Sequence, residues 1–128
     1  MKSLKIKIAL LLIIIFSTSC QNLYSQVFKI VGPYFVAKDP AGDYKTLFYD
    51  LGNGNSIERV RNVKRVGHTR NFIIIEVQNG YYIINRKKDN KYLNGNEIRG
   101  KRKTHDQILI FLKSNKIIDF HYDYFLEK

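Results

Sequence analysis

The segment Phe72 to Asn85 constrains the fold more than any other, because an apolar run, F-I-I-I-E-V-Q, meets a second, Y-Y-I-I-N, across the dipeptide Asn79-Gly80. β-Branched and aromatic side chains favour extended backbone. Asn-Gly supplies two residues that tolerate positive φ, which a two-residue type I′ turn requires. The runs are expected to pair as an antiparallel hairpin in which Gln78 faces Tyr81, Val77 faces Tyr82 and Ile75 faces Ile84. That register puts Val77, Ile75, Tyr82 and Ile84 on one apolar side, and Glu76, Gln78 and Asn85 on the other. Gly80→Val should disrupt such a turn.

The rest of the chain from Val27 onward follows the same grammar of short apolar runs broken by Gly, Pro and Asn. V-F-K-I-V and Y-F-V-A-K flank Gly32-Pro33, and D-P-A-G-D follows with Pro40 and Gly42 at turn-favouring positions. The run Thr46 to Leu51 is expected to pair with Tyr34 to Lys38, and G-N-G-N at Gly52 to Asn55 reads as a loop. Between Ser56 and Gly67 the apolar residues Ile57, Val60, Val63 and Val66 recur at every third position, a spacing that fits neither a regular strand nor a helix. Two short strands are expected there.

One helix is expected late in the chain. In T-H-D-Q-I-L-I-F-L-K-S-N, Thr104 as N-cap with Gln107 three residues on forms a capping box. Ile108, Phe111 and Leu112 share a face, Leu109 and Ile110 widen it, and Asn115 suits the C-terminal cap. The tail alternates, with Ile118, Phe120, Tyr122 and Tyr124 on one side and Asp119, His121 and Asp123 on the other, as a half-buried last strand would. The fold class is therefore mainly β (α+β): a small antiparallel sheet or partly closed barrel with one late helix, preceded by a signal helix.

The N-terminus has a different character. Lys2, Lys5 and Lys7 precede the apolar run Ile8 to Phe16, and Ser17-Thr18-Ser19-Cys20 follows, which is the charged, hydrophobic and small-residue order of a secretory signal. Nine apolar residues make about 13 Å of helix, too short for a hydrocarbon core of about 30 Å. The Ser-Thr-Ser-Cys step resembles a bacterial lipobox, in which the thiol takes a diacylglycerol and cleavage leaves the Cys as residue one. Ser17 departs from the aliphatic residue usual there, and Ser17 with Ser19 also suits ordinary signal peptidase. The expectation is a signal over 1–19, lipidation at Cys20, a polar tether over 20–26 and a single domain over 27–128. Cys20 is the only cysteine, so no disulfide framework exists within the chain. Two acyl chains would hold the protein at an extracytoplasmic membrane surface, in the periplasm or on the cell surface.

With the signal removed, 19 Lys and Arg face 11 Asp and Glu, a net charge of +8. Such a balance favours anionic partners without dictating a fold. Arg99, Lys101, Arg102 and Lys103 form a dense basic loop just before the expected helix, where the helix dipole adds to the attraction for an anion. These four are the speculative anion-binding residues, although a solvated basic loop accounts for them as well. Asp119, His121 and Asp123 make a chemically sensible ligand set for a divalent metal, but alternating polar residues on a solvated strand explain them equally, and no metal site is assigned. His68 and His105 read as surface or capping residues. No nucleophile–base pair, paired carboxylates or phosphate-cradling glycine loop has convincing spacing, so no catalytic residue, cofactor or enzymatic activity is expected, nor any specific nucleic-acid partner.

The succession of lipobox, short strands, Y-Y-I-I-N and a Gly-x-x-x-Thr-x-x-x-Ile entry into a helix, carried by Gly100, Thr104 and Ile108, resembles a family of small uncharacterised bacterial lipoproteins. Lys101 stands where that pattern has Pro. The resemblance covers about the second half of the domain and implies no activity. The functional expectation is a membrane-anchored envelope lipoprotein serving as a binding or interaction module for an anionic or protein partner. The alternative is an inhibitor or immunity-type lipoprotein that blocks an envelope-active enzyme.

Overall fold

The computed structural model describes residues 27 to 127; the expected signal over 1–19, Cys20 and the tether over 20–26 lie outside them. Among the described residues, eight strands form two antiparallel sheets. The first holds β1 (Phe28–Val31), β2 (Tyr34–Lys38), β3 (Lys45–Gly52) and β4 (Asn55–Val60) in chain order. The second runs β7 (Gly80–Asn85), β6 (Phe72–Val77), β5 (Val63–His68) and β8 (Tyr122–Phe125), so the last strand adds to the edge left by β5. Two helices, α1 (Gly95–Arg99) and α2 (His105–Ser114), lie between β7 and β8 in sequence.

The inner faces share one core: Tyr34, Val36, Leu47 and Val60 from the first sheet meet Val63, Val66, Ile73, Ile75 and Ile84 from the second. Burial of each such side chain stabilises by about 1.5 to 3 kcal/mol relative to exposure. β6 is buried on both faces. Its opposite side carries Ile74 and Phe72, and Phe111 of α2 meets the Phe72 ring edge to face at 4.8 Å while Ile108 is buried nearby. Thr104 caps α2 as expected, its hydroxyl accepting from the Gln107 N–H at 3.2 Å while the Gln107 side chain accepts from the Thr104 N–H at 2.8 Å. Leu109 and Ile110 do not widen the buried face; both point to solvent. The five-residue α1 stands where only a loop was expected. A helix this short has little intrinsic stability, and it is held by packing of Ile98 against the core.

The central hairpin keeps the expected division of faces but slides by two residues. Val77 faces Gly80, Ile75 faces Tyr82 and Ile73 faces Ile84, so the loop is Gln78-Asn79. Gly80 becomes the first strand residue, at φ 151°. Its neighbour Tyr81 exchanges two backbone hydrogen bonds with Lys103, at 2.9 and 2.7 Å. That crossing strand lies so close that a Cβ on Gly80 would sit 2.7 Å from the Lys103 carbonyl oxygen. Gly80 keeps a positive φ but Asn79 does not; the consecutive left-handed pair expected there occurs instead at Asn53-Gly54, 56° and 78°, where β3 turns into β4.

The period-three stretch resolves into strand segments interrupted at every step. Leu47 faces Val60 and Phe48 faces Glu58, which makes Arg59 the extra residue of a bulge. Asn62, at φ 53°, turns the chain from the first sheet into the second. Val63 faces Val77 and Arg65 faces Glu76, leaving Lys64 as a second bulge. Each irregularity turns a two-residue repeat into three, so Val60, Val63 and Val66 all point inward. The tail is only partly strand: β8 begins at Tyr122, and Ile118 is 91% exposed.

Candidate functional site

Two arginine clusters stand out, and they are opposite in kind. Arg59, aimed inward by its bulge, is fully buried. Its Nε and Nη2 donate to the two carboxylate oxygens of Asp89, both at 2.9 Å. Nη2 also donates to the Asn90 carbonyl at 3.0 Å, and Nη1 to those of Leu93 at 3.0 Å and Glu58 at 3.5 Å. The guanidinium lies 4.9 Å from the Tyr49 ring centre. All five N–H groups of an arginine are thus engaged. Tyr34 donates its hydroxyl to Asp89 at 2.7 Å; burial first, then that bond, push the Tyr34 phenol far above its ordinary range. Nothing in this cluster is left open to a ligand. Its effect is to tie the segment after β7 to β4.

The second cluster lies in a cleft of about 240 Å³ where three separate segments converge. Arg61 and Asn62 come from the β4–β5 turn, Gln78 and Asn79 from the β6–β7 turn, and Arg99 and Arg102 from the end of α1 and the residues after it. Arg61 donates to Glu58 at 2.7 Å across an exposed pair. Arg99 lies over the Tyr82 ring at 5.7 Å and donates to the side chain of Asn96. Among the described residues neither Arg99 nor Arg102 is paired with a carboxylate. A guanidinium offers a planar fork that matches a carboxylate or phosphate, and the Gln78, Asn79 and Asn62 amides add neutral donors to the wall. The described lining holds no carboxylate, imidazole or thiol. The arrangement can therefore hold an anion, with the Tyr82 ring on its wall.

Of the four basic residues singled out in sequence, the structure brings Arg99 and Arg102 into this cleft and leaves Lys101 and Lys103 out of its lining. Lys103 is committed through its backbone to Tyr81. The start of α2 does not line the cleft either, and its capping box occupies the Thr104 and Gln107 donors. Arg61 was not foreseen, nor was the Arg59–Asp89 pair. The irregular apolar spacing around residue 59 was their one sequence signal, since a strand that breaks its alternation must aim some side chain abnormally.

The acidic-histidine tail is divided among other tasks. Asp123 bonds His68 Nδ1 at 2.6 Å, bridging β8 to β5. His121 is exposed, with Nε2 3.9 Å from Asp123. Among the described residues no three His, Cys, Asp or Glu side chains are placed to hold a metal ion. His105, in the first turn of α2, packs against Tyr81 with ring centres 5.8 Å apart. Among the same residues, no helix is long and apolar enough to cross a membrane. Comparison with protein-family models, with curated proteins and with solved structures returns no match for this chain.

Proposed function

We propose that this chain is an exported bacterial lipoprotein of the small-lipoprotein type it resembles, acylated at Cys20, whose β domain binds an anionic group at a membrane surface. The observation that carries the binding half is the convergence of Arg61, Arg99 and Arg102 on one cleft, two of them without a carboxylate partner among the described residues. Each unit charge at about 4 Å contributes between about 1 kcal/mol in bulk water and about 4 kcal/mol at a protein surface. Three such groups favour a phosphate or a carboxylate-bearing glycan over a neutral ligand. The anchoring half is supported by the order of basic, apolar and small residues ahead of Cys20 and by the mature charge of +8.

Calorimetric titration of the mature chain with inorganic diphosphate and with a uronic-acid oligosaccharide tests the cleft. Saturable heat is expected with at least one, weakening as salt is raised. Arg61→Ser with Arg99→Ser and Arg102→Ser should abolish it, while Lys101→Ser with Lys103→Ser should leave most of it. Equal binding by both variants would refute the cleft as the site. Intact-mass measurement of the membrane-extracted protein tests the anchor: a bare Cys20 thiol would refute it.

A further inference from the structure

The end of the fold at which β1 begins carries a concentrated exposed apolar surface. Val27 and Phe28 are 54% and 43% exposed there, and Phe125 and Leu126, leaving β8, are 57% and 46% exposed. All four line an open groove of about 610 Å³ between the edge strands of the two sheets, with Lys45 on its wall. Strand register puts basic groups at the same end. Leu126 donates its N–H to the Lys64 carbonyl at 2.7 Å, and Lys64 is exposed. Arg61 stands in the adjoining β4–β5 turn, next to Val60, which faces Leu47 two residues along β3 from Lys45, and it is paired with Glu58. Two acidic groups also line the groove, Asp123 and Glu127, of which Asp123 is bonded to His68.

We infer that this end of the domain lies against an anionic phospholipid bilayer, with Val27, Phe28, Phe125 and Leu126 in the interfacial layer. The inference rests on the reading of Cys20 as lipid-bearing and extends it from an anchor to an orientation. Gln21 to Gln26 are six residues, reaching at most about 20 Å when fully extended. A chain of about 100 residues folds to a radius of gyration of about 13 Å, hence about 30 Å across. A lipid on Cys20 therefore holds the Val27 end near the interface, and the tether is too short to carry the far end there instead. That far end carries the Gly32-Pro33 and Thr69–Asn71 turns, with Arg70, Arg86 and Lys87 around a separate depression. Apolar side chains that enter the interface together with basic groups over anionic headgroups are the two contributions that hold a peripheral surface to a membrane. The tethered end has both on one groove, whereas at the far end Leu51, beside the β3–β4 turn, and Ile118, ahead of β8, are exposed singly and neither lines the depression that holds Arg70, Arg86 and Lys87.

The test uses the full lipidated chain in phosphatidylethanolamine–phosphatidylglycerol vesicles with brominated acyl chains. Because acylation consumes the only native cysteine, a single added thiol can carry an environment-sensitive fluorophore. Leu126→Cys and Val27→Cys should give blue-shifted, bromine-quenched emission, and Lys87→Cys should give neither. Two added positions, one before β1 and one after β8, guard against one label disturbing its own site. Acylated Cys20 with equal, weak quenching at all three positions would overturn the orientation and leave the anchor standing. A bare Cys20 in the intact mass would remove both.

Discussion

Arg59 and Arg99 are 40 residues apart in sequence and belong to adjoining parts of the structure, β4 and the α1 that packs against it, yet their surroundings give them opposite roles. Arg59 has every donor matched, to a carboxylate and three carbonyls, and is sealed from water. Arg99 stacks on Tyr82 and lines an open cleft. A buried guanidinium whose partners are all internal acts as a structural tie, since no valence remains for a ligand and any lost partner leaves a charge stranded in low dielectric. A guanidinium held in place by an aromatic face and an amide keeps its fork free for an anion. The charge itself is identical; the accounting of its N–H groups separates structure from binding.

The sharpest way to break this contrast is to remove Arg59. Arg59→Ala should cost about 3 to 5 kcal/mol, because Asp89 would remain buried without its cation. Urea denaturation should place the variant near or beyond the edge of stability for a domain of this size. Asp89→Ala should cost a comparable amount, and the double variant distinctly less than the two together, since no lone charge would remain. Strict additivity would mean that the pair is not the closed unit its geometry describes.

Gly80 sets a smaller effect. Its φ of 151° and the Lys103 carbonyl 2.7 Å from any Cβ predict that Gly80→Val costs about 1 to 3 kcal/mol. The same substitution follows from the sequence reading, but the cause differs, and the cleft separates the two. Were Gly80 a free turn residue, only the hairpin would loosen. Pressed against the segment that carries Arg102, it should also displace that arginine and weaken anion binding at temperatures where the variant is still folded.

The hairpin shows how far the sequence could be read. Alternation assigned the right side chains to the right faces because apolar burial decides the face, and a slip of two residues leaves faces unchanged. It could not fix the pairing itself, because the crossing by Lys103 comes from a segment more than 20 residues away. The strands on either side of Gly32-Pro33 and the capped helix at Thr104 were legible for the same local reason: turn chemistry and caps act over three or four residues. In the stretch from Ile57 to Val66 the two expected strands are present as β4 and β5, but their register was not legible, because two bulges and a left-handed Asn62 each add one residue, and a bulge has no composition of its own. Of the candidate site, Arg99 and Arg102 were visible as charge. Arg61 was invisible, being brought to the cleft by the turn between sheets.

Asp39 offers a milder comparison, a charge satisfied by loop and strand. It accepts from the Thr46 hydroxyl at 2.7 Å and the Ala41 N–H at 2.8 Å, and those bonds hold its carboxyl below its ordinary value of 3.8. A carboxyl lowered on folding contributes stability that is present above that ordinary value and is lost as pH falls toward the folded one. Wild type should therefore lose melting temperature on acidification below 3.8 more steeply than Asp39→Asn, which keeps one acceptor oxygen for the Ala41 N–H and turns an amide NH2 toward the Thr46 hydroxyl, without the charge. Parallel curves for the two proteins would show that Asp39 is not what acid attacks.

The cleft arginines should matter least to stability, which makes them the decisive side of the contrast. Arg61 loses an exposed pair with Glu58, and such surface pairs add little to stability. Arg99 loses a partly exposed stacking contact with Tyr82, about 0.5 to 1 kcal/mol, and Arg102 has no charged partner among the described residues. The three Ser substitutions should together cost little beyond the Arg99 stacking contact, while relief of mutual repulsion among like charges offsets part of that. A cluster of like charge neutralised only in part, here by Glu58 at Arg61, opposes folding, and a sequence that keeps one does so at a standing energetic cost. If denaturation of the triple variant instead shows a loss as large as that of Arg59→Ala, the cleft is a second structural tie and its free donors have partners inside the protein. If stability holds or rises and anion binding disappears, the open fork and the closed one are separated by a single measurable quantity, the stability each withholds when removed.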